Sequence, residues 1–92
     1  MLRSFAHKGL ERFFERGSKA GINPSHAKRL RIILGSLDAA TIIEEMALPG
    51  LGLHPLRGDL AGYWAVSVNG PWRITFRFEN GHAWEVDYVQ YH

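Results

Sequence analysis

Six side chains in this sequence, His54, Arg57, Arg73, Arg77, Tyr91 and His92, have the chemical types that a phosphodiester-cleaving site without a metal requires. Opening such a bond in RNA needs a base for the 2′-hydroxyl proton and an acid for the departing 5′ oxygen. It also needs cations for the charge that grows at phosphorus. Histidine is the natural proton carrier near neutrality. Arginine offers planar donors to phosphate oxygens without losing its charge, and tyrosine stacks on a base or donates a hydrogen bond.

Blander roles are open to each of the six. A terminal histidine is commonly just exposed, and His54, beside Pro55, can simply bond the backbone. Arg73 and Arg77 can pair with Glu85 and Asp87 across strands, a common arrangement. Trp64, Trp72 and Trp84 read as core or half-core residues, and His26, Lys28 and Arg29 as solvated helix surface. At this level a binding module and a nuclease both fit.

Other chemistries find less support. The five histidines, His7, His26, His54, His82 and His92, are scattered and form no recognised ligand spacing with Asp or Glu, so no metal site is expected. The chain has no cysteine, which removes thiolate chemistry and a disulfide framework and fits a reducing cytoplasm. The glycine in NGPWRITFRF belongs to a hairpin and not to a phosphate cradle between strand and helix, and no serine sits in a nucleophile elbow. No cofactor is called for.

These residues must be positioned by elements whose period changes once along the chain, from helical over residues 7–46 to alternating over 62–91. Leu2 to Phe5 is a candidate strand. Leu10, Phe13 and Phe14 give His7 to Arg16 one buried helical face, which Gly17 ends. Asn23 or Ser25 caps the next helix and Pro24 suits its first turn. There Ala27, Leu30, Leu34 and Leu37, with Ile33 beside them, make an apolar stripe flanked by Lys28, Arg29 and Arg31. Thr41 to Met46 adds a further turn or short helix. Leu48 to Gly62, with glycines and two prolines, reads as a long loop, and such loops in small domains are often functional.

Tyr63 to Val68, Trp72 to Phe78 and Ala83 to Tyr91 read as three antiparallel strands, joined at Asn69-Gly70 and Asn80-Gly81, with the N-terminal strand a possible fourth. Pro71 directly follows the first turn, where a missing donor costs least. On the middle strand Trp72, Ile74, Phe76 and Phe78 face the core, and Arg73, Thr75 and Arg77 face outward. On the last, Trp84, Val86, Tyr88 and Gln90 alternate against Glu85, Asp87, Val89 and Tyr91. The fold expected is α+β: N-terminal helices packed on a small, curved antiparallel sheet, one domain over residues 1–92.

Ninety-two residues bury one modest core, which a partner covering apolar surface would support. Eleven Lys and Arg against nine Asp and Glu give +2, too small an excess to diagnose a nucleic-acid binder, so local clusters matter more than the total. The opening residues are too charged for a signal peptide, and no stretch approaches the roughly 18 apolar residues of a membrane span.

The segment LHPLRGDLAGYWAVSVNGPWRITFRFENG, the terminal VDYVQYH and the N-terminal FAHKGLERFFERGSKAGINPSHAKRLRIIL resemble, in this order, the HigB family of plasmid-maintenance killer toxins within the RelE/ParE toxin superfamily. The likeness spans essentially the whole chain, and the ordered LHPL loop, VNG-W-R hairpin and YH terminus make it specific. It implies a cytoplasmic, ribosome-dependent endoribonuclease that cuts mRNA in the A site without metal. It further implies a helix-turn-helix (HigA-like) antitoxin, through which alone the toxin meets operator DNA. By the same resemblance His92 transfers protons and Arg73 clamps the phosphate, while His54 is a second acid–base or orienting group. Arg57 adds a cation and Tyr91 positions the nucleotide. Arg77 joins the substrate-binding set from its placement on the Arg73 face. Lys28, Arg29 and Arg31 are expected to contact ribosomal RNA.

Three positions depart from the family pattern. Arg57 stands where lysine is usual, which keeps the charge but makes a poor proton donor. Pro71 replaces an asparagine before the hairpin tryptophan, and Gln90 replaces an acid before the final tyrosine, removing a carboxylate that would orient a neighbouring histidine. A gyrase-directed toxin of the same fold and a non-catalytic component of a repressor complex are the competing readings.

Overall fold

In a computed structural model, which describes residues 1–91, two helices and a four-stranded antiparallel sheet share one hydrophobic core. Helix α1 covers Lys8–Arg16 and α2 covers Ala27–Ala39; strands β1 to β4 cover His54–Pro55, Tyr63–Asn69, Trp72–Glu79 and His82–Gln90, in that spatial order. The fourth strand is where the structure departs from the sequence pattern. It comes from the loop: His54 and Pro55 pair with Ala65 and Trp64, so the stretch from Leu48 to Gly62 is less irregular than its glycines and prolines indicate. The N-terminal segment instead lies parallel to the far edge, bridging Leu2 to Ala83 and Phe5 to Val86. Its backbone occupies hydrogen-bonding groups on β4 that an open edge would expose.

Helix α1 begins at His7, whose Nδ1 accepts the Leu10 amide at 2.9 Å, and ends at Gly17 in the left-handed region. Leu10 and Phe13 are buried as expected, whereas Phe14 is exposed and its ring stands 5.8 Å from that of Phe5. Asn23, not Ser25, is the cap before α2: its Oδ1 accepts the Ser25 amide at 3.0 Å, and the chain makes a 3-10 turn over Pro24–His26 before the α-helix proper. Leu30, Ile33, Leu34 and Leu37 then bury completely or nearly so in the same core as Ile74 and Phe76. A second 3-10 turn, Ile43–Met46, is tied by the Glu45 carboxylate to the backbone amides of Thr41 and Ile42.

Two bulges break the sheet register. The one that matters for the exposed face lies between Thr75 and Arg77, where Glu85 and Val86 together oppose Phe76. Glu85 adopts φ +53°, unusual for a residue with a side chain. The extra residue reverses the alternation on β4. Trp84 therefore lies directly opposite Arg77, on the outward face, and not with Val86 and Tyr88 as strict alternation predicts.

The approach of α1 to the segment before α2 requires two glycines. A Cβ on Gly9 would stand 2.7 Å from the Gly21 carbonyl oxygen, and one on Gly21 would stand 2.6 Å from the Gly9 Cα, so backbone meets backbone with no flexible side chain to yield. Gly35, in the middle of α2, faces open space. Gly9→Ala should therefore destabilise the fold by about 1–3 kcal/mol through overpacking. Gly35→Ala should stabilise it by about 0.5–1 kcal/mol through helix propensity. Urea unfolding of both variants checks this, and the same sign of change in both would contradict it.

Candidate active site on the outward sheet face

The outward face is assembled by cross-strand register. His54 lies opposite Ala65, Ala65 opposite Thr75, and Thr75 opposite Asp87, so one row of the face runs from the loop strand to β4. The neighbouring row holds Ser67, Arg73 and Val89, and the next in the other direction holds Tyr63, Arg77 and Trp84. Ala65 and Thr75 are small and buried, forming the floor between larger side chains. A groove of about 300 Å³ follows, lined by Leu60, Tyr63, Thr75, Asp87, Val89 and Tyr91 among others.

His54 is exposed, and its Nδ1 lies 3.0 Å from the Gly52 carbonyl oxygen. A carbonyl only accepts, so the proton of neutral His54 sits on Nδ1 and its Nε2 lone pair is available as a base. The backbone bond anticipated as the bland role thus also fixes a tautomer.

Arg73 is held at the β2–β3 turn. Its Nη1 donates to the carbonyls of Gly70 at 2.6 Å and Trp72 at 3.0 Å, and reaches Ser67 Oγ at 3.5 Å. All three contacts come from one nitrogen, so among the described residues Nε and Nη2 carry no hydrogen bond and no carboxylate pairs with the group. The same turn fixes Tyr91, whose amide donates to the Pro71 carbonyl at 2.9 Å. Tyr91 is 40% exposed at the mouth of the groove. His92 lies outside the described residues.

Arg77 differs from Arg73. It pairs with Glu79 at 2.7 Å and Glu85 at 3.2 Å and lies over the Trp84 ring at 5.8 Å from its centroid. The cross-strand pairing weighed for both arginines holds for Arg77 alone, and its charge is compensated where a free substrate cation was expected. Glu85 also accepts from the Tyr63 hydroxyl at 2.6 Å. Tyr63, then Arg77, hold its carboxyl below the ordinary glutamate range. Arg57 is exposed, its side chain unpaired among the described residues, and it precedes a 3-10 turn over Gly58–Leu60.

The three basic residues of α2 do not form one patch. Lys28 is exposed, Arg31 lies over Phe13 of α1 at 5.4 Å from the ring centroid, and Arg29 turns to the loop, donating to the Gly50 carbonyl at 2.7 Å. Helical geometry separates positions 29 and 31 by about 200°. His26 is also not the surface residue expected: it is 3% exposed, with Nδ1 2.6 Å from the Tyr88 hydroxyl, and Tyr88 stacks on Trp72 at 4.6 Å between centroids. The residues on the face that sequence reasoning did not assign to the site are Tyr63, Thr75 and Trp84, of which the strand period alone indicates the first two.

A family model described as a RelE-like toxin of the type II toxin–antitoxin system HigB matches residues 3–92. The chain belongs to the HigB-like toxin family. Endoribonuclease HigB of Proteus vulgaris is 44% identical over 92 residues, which is 100% of both chains. Among solved structures, the YoeB dimer from Staphylococcus aureus is 20% identical with a TM-score of 0.60, covering 99% of this chain and 94% of that one. The YoeB–YefM complex from the same organism gives 22% identity and a TM-score of 0.61, covering 100% and 98%. At those identities the likeness shows the fold alone, helices packed on an antiparallel sheet. No helix of the described residues is long and apolar enough to cross a membrane.

Because folding depresses the Glu85 pKa, its carboxylate stabilises this toxin fold at pH above the ordinary glutamate value. That contribution is lost as pH falls through the depressed value. Removing the largest cause with Tyr63→Phe should raise the Glu85 titration midpoint, read by side-chain carboxyl NMR. Wild type should also lose more stability than the variant across the acid range. An unmoved midpoint would mean the Tyr63 hydroxyl does not hold the carboxylate.

Proposed function

We propose that this toxin is an endoribonuclease that cuts mRNA in the ribosomal A site by metal-independent acid–base chemistry, and that a helix-turn-helix antitoxin restrains it. The observation that carries the reading is the assembly of His54, Arg73 and Tyr91 around one sheet face, with Nε2 of His54 and two donor groups of Arg73 unengaged among the described residues. The 44% identity to a full-length endoribonuclease supports the activity, and membership of a type II toxin–antitoxin family supports the antitoxin.

In the proposed reaction a histidine removes the ribose 2′-hydroxyl proton and that oxygen attacks the adjacent phosphorus. The bond from phosphorus to the 5′ oxygen breaks, the leaving oxygen receives a proton, and a cyclic phosphate remains. His92 and His54 are the proton-transfer pair. Arg73 presents Nε and Nη2 to the non-bridging oxygens, where developing charge makes each donor most effective. Arg57 is a further cation, and Tyr91 packs against the nucleotide. Arg77, compensated by Glu79 and Glu85, anchors the opposite end of the face. Of the three cations on α2, Lys28 and Arg31 are exposed and are offered to ribosomal RNA. A ribosome that holds the message in line supplies the orientation that an open groove on a small protein lacks.

Primer extension on a defined mRNA during translation in a purified system tests this. New 5′ ends should appear at A-site codons only when ribosomes are present, vanish with His92→Ala and fall by about a hundredfold with Arg73→Gln. Intact message at high concentrations of folded wild-type protein would direct attention to gyrase or to a purely binding role.

A further inference from the structure

Beside the β2–β3 turn that holds Arg73 the chain forms a second, strongly polar cleft of about 350 Å³, lined by Ser25, His26, Arg29, Ser67, Asn69 and Gly70 among others. Among the described residues no carboxylate lines it, and neither the Pro24–His26 turn nor the first turn of α2 contains an acidic residue. The positive end of the helix is therefore not offset locally.

The buried histidine makes this more than a helix terminus. His26 is 3% exposed and has its Nδ1 engaged by Tyr88, while its Nε2 has no partner among the described residues. The Tyr88 hydroxyl accepts the Asn23 amide at 3.4 Å and can donate its own proton to Nδ1. That arrangement puts the imidazole proton on Nε2, so His26 offers the cleft a donor. Arg29 is held at its rim by the Gly50 carbonyl, with Nε buried and lacking a partner among the described residues. The His26 Nε2 and the Arg29 guanidinium bring a donor and a positive charge to the same cleft, and a phosphate oxygen is an acceptor matched to that pair.

We propose that this cleft binds a backbone phosphate of RNA, a second phosphate position beyond the one assigned to Arg73. The proposal rests on the nuclease reading for its choice of RNA. Ser67 and Gly70, which line the cleft, are also acceptors of Arg73 Nη1, so a single hairpin holds both phosphate positions in fixed relation. The chemistry is the same for a phosphate of the message and for one of ribosomal RNA.

The test uses the full chain and binding readouts that do not require cleavage. In nitrogen–proton NMR, inorganic phosphate should shift the His26 ring and Arg29 side-chain signals, and chloride at matched ionic strength should not. Ser25→Asp places a carboxylate at the cleft just before α2, where it repels an anion, and it forfeits the hydrogen bond that Ser25 Oγ donates to Asn23 Oδ1 at 2.8 Å. It should abolish the phosphate shifts, whereas Ser25→Ala, which loses the same hydrogen bond without adding charge, should keep them, a pair of results that general damage cannot produce. Binding to a 2′-O-methyl oligonucleotide and to ribosomes without message is then measured against salt for wild type, Ser25→Asp and Arg29→Gln. Loss of one phosphate contact should reduce the slope of log affinity on log salt by about 0.7–0.9. A reduction with the oligonucleotide identifies a message phosphate, and one with ribosomes alone identifies ribosomal RNA. Unchanged slopes on both, or shifts reproduced by chloride, overturn the proposal. If message stays uncut while the phosphate shifts persist, the nuclease reading fails and the anion site stands.

Discussion

Ile74 and Phe76 are completely buried on β3, in a core shared with Leu30, Ile33, Leu34 and Leu37 of α2. Side chains on a strand alternate, so that burial sends Arg73, Thr75 and Arg77 to the opposite face. A slip of one residue would carry two guanidiniums into the core and two large apolar groups into water, which makes this register strongly specified. The position of Arg73 is consequently a by-product of core formation. The small floor at Ala65 and Thr75 then lets larger neighbours stand around a depression, giving an open sheet a groove without a separate lid.

Register sets the face, and the β2–β3 turn sets the geometry on it. The turn's carbonyls fix Arg73 through Gly70 and Tyr91 through Pro71, so residues eighteen positions apart in the chain are referred to one short backbone segment. Proline at 71 loses only a donor, and the interaction with Tyr91 uses its acceptor, which explains why this departure from the family pattern is compatible with the site. At the other end of the face the left-handed backbone of Glu85 carries strain that costs on the order of 1 kcal/mol or more. It is held there by several bonds: its amide donates to Ser4 Oγ at 2.8 Å, and its carboxylate receives Tyr63 and Arg77. The N-terminal segment thereby helps to lock a bulge at the far end of the chain.

What was legible in the sequence follows the range of the interactions involved. Alternation on β3, the turn residues at Asn69-Gly70 and Asn80-Gly81, the stripe of α2 and the stop at Gly17 are local signals, and the structure agrees with them. The bulge at Glu85 was not legible because no glycine marks it, and its effect on Trp84 was missed with it. The His54 strand is only two residues long and owes its existence to pairing with β2, which no local pattern records. His26 looks like helix surface until Tyr88, 62 residues away, is brought against it. The divergence of Arg29 and Arg31, in contrast, follows from helical geometry and is accessible from spacing alone.

The net charge of +2 conceals an uneven distribution along the sheet face. At one end Arg77 is compensated by Glu79 and Glu85. Among the described residues Arg73, at the hairpin end, has no carboxylate partner, and the cleft beside the same turn is lined by Arg29 and by no acid. An anion passing along the face therefore meets neutralised charge at the Trp84 end, the Asp87 carboxylate in the middle row, and uncompensated donors at the Pro71 end. In a partly desolvated groove such a difference in local field outweighs a small net charge, because the potential near a binding surface is set by its nearest groups. A polyanion would accordingly be drawn across the β2–β3 turn and away from the bulge. The element that fixes the geometry of Arg73 and Tyr91 is thus also the one on which the favourable field is concentrated.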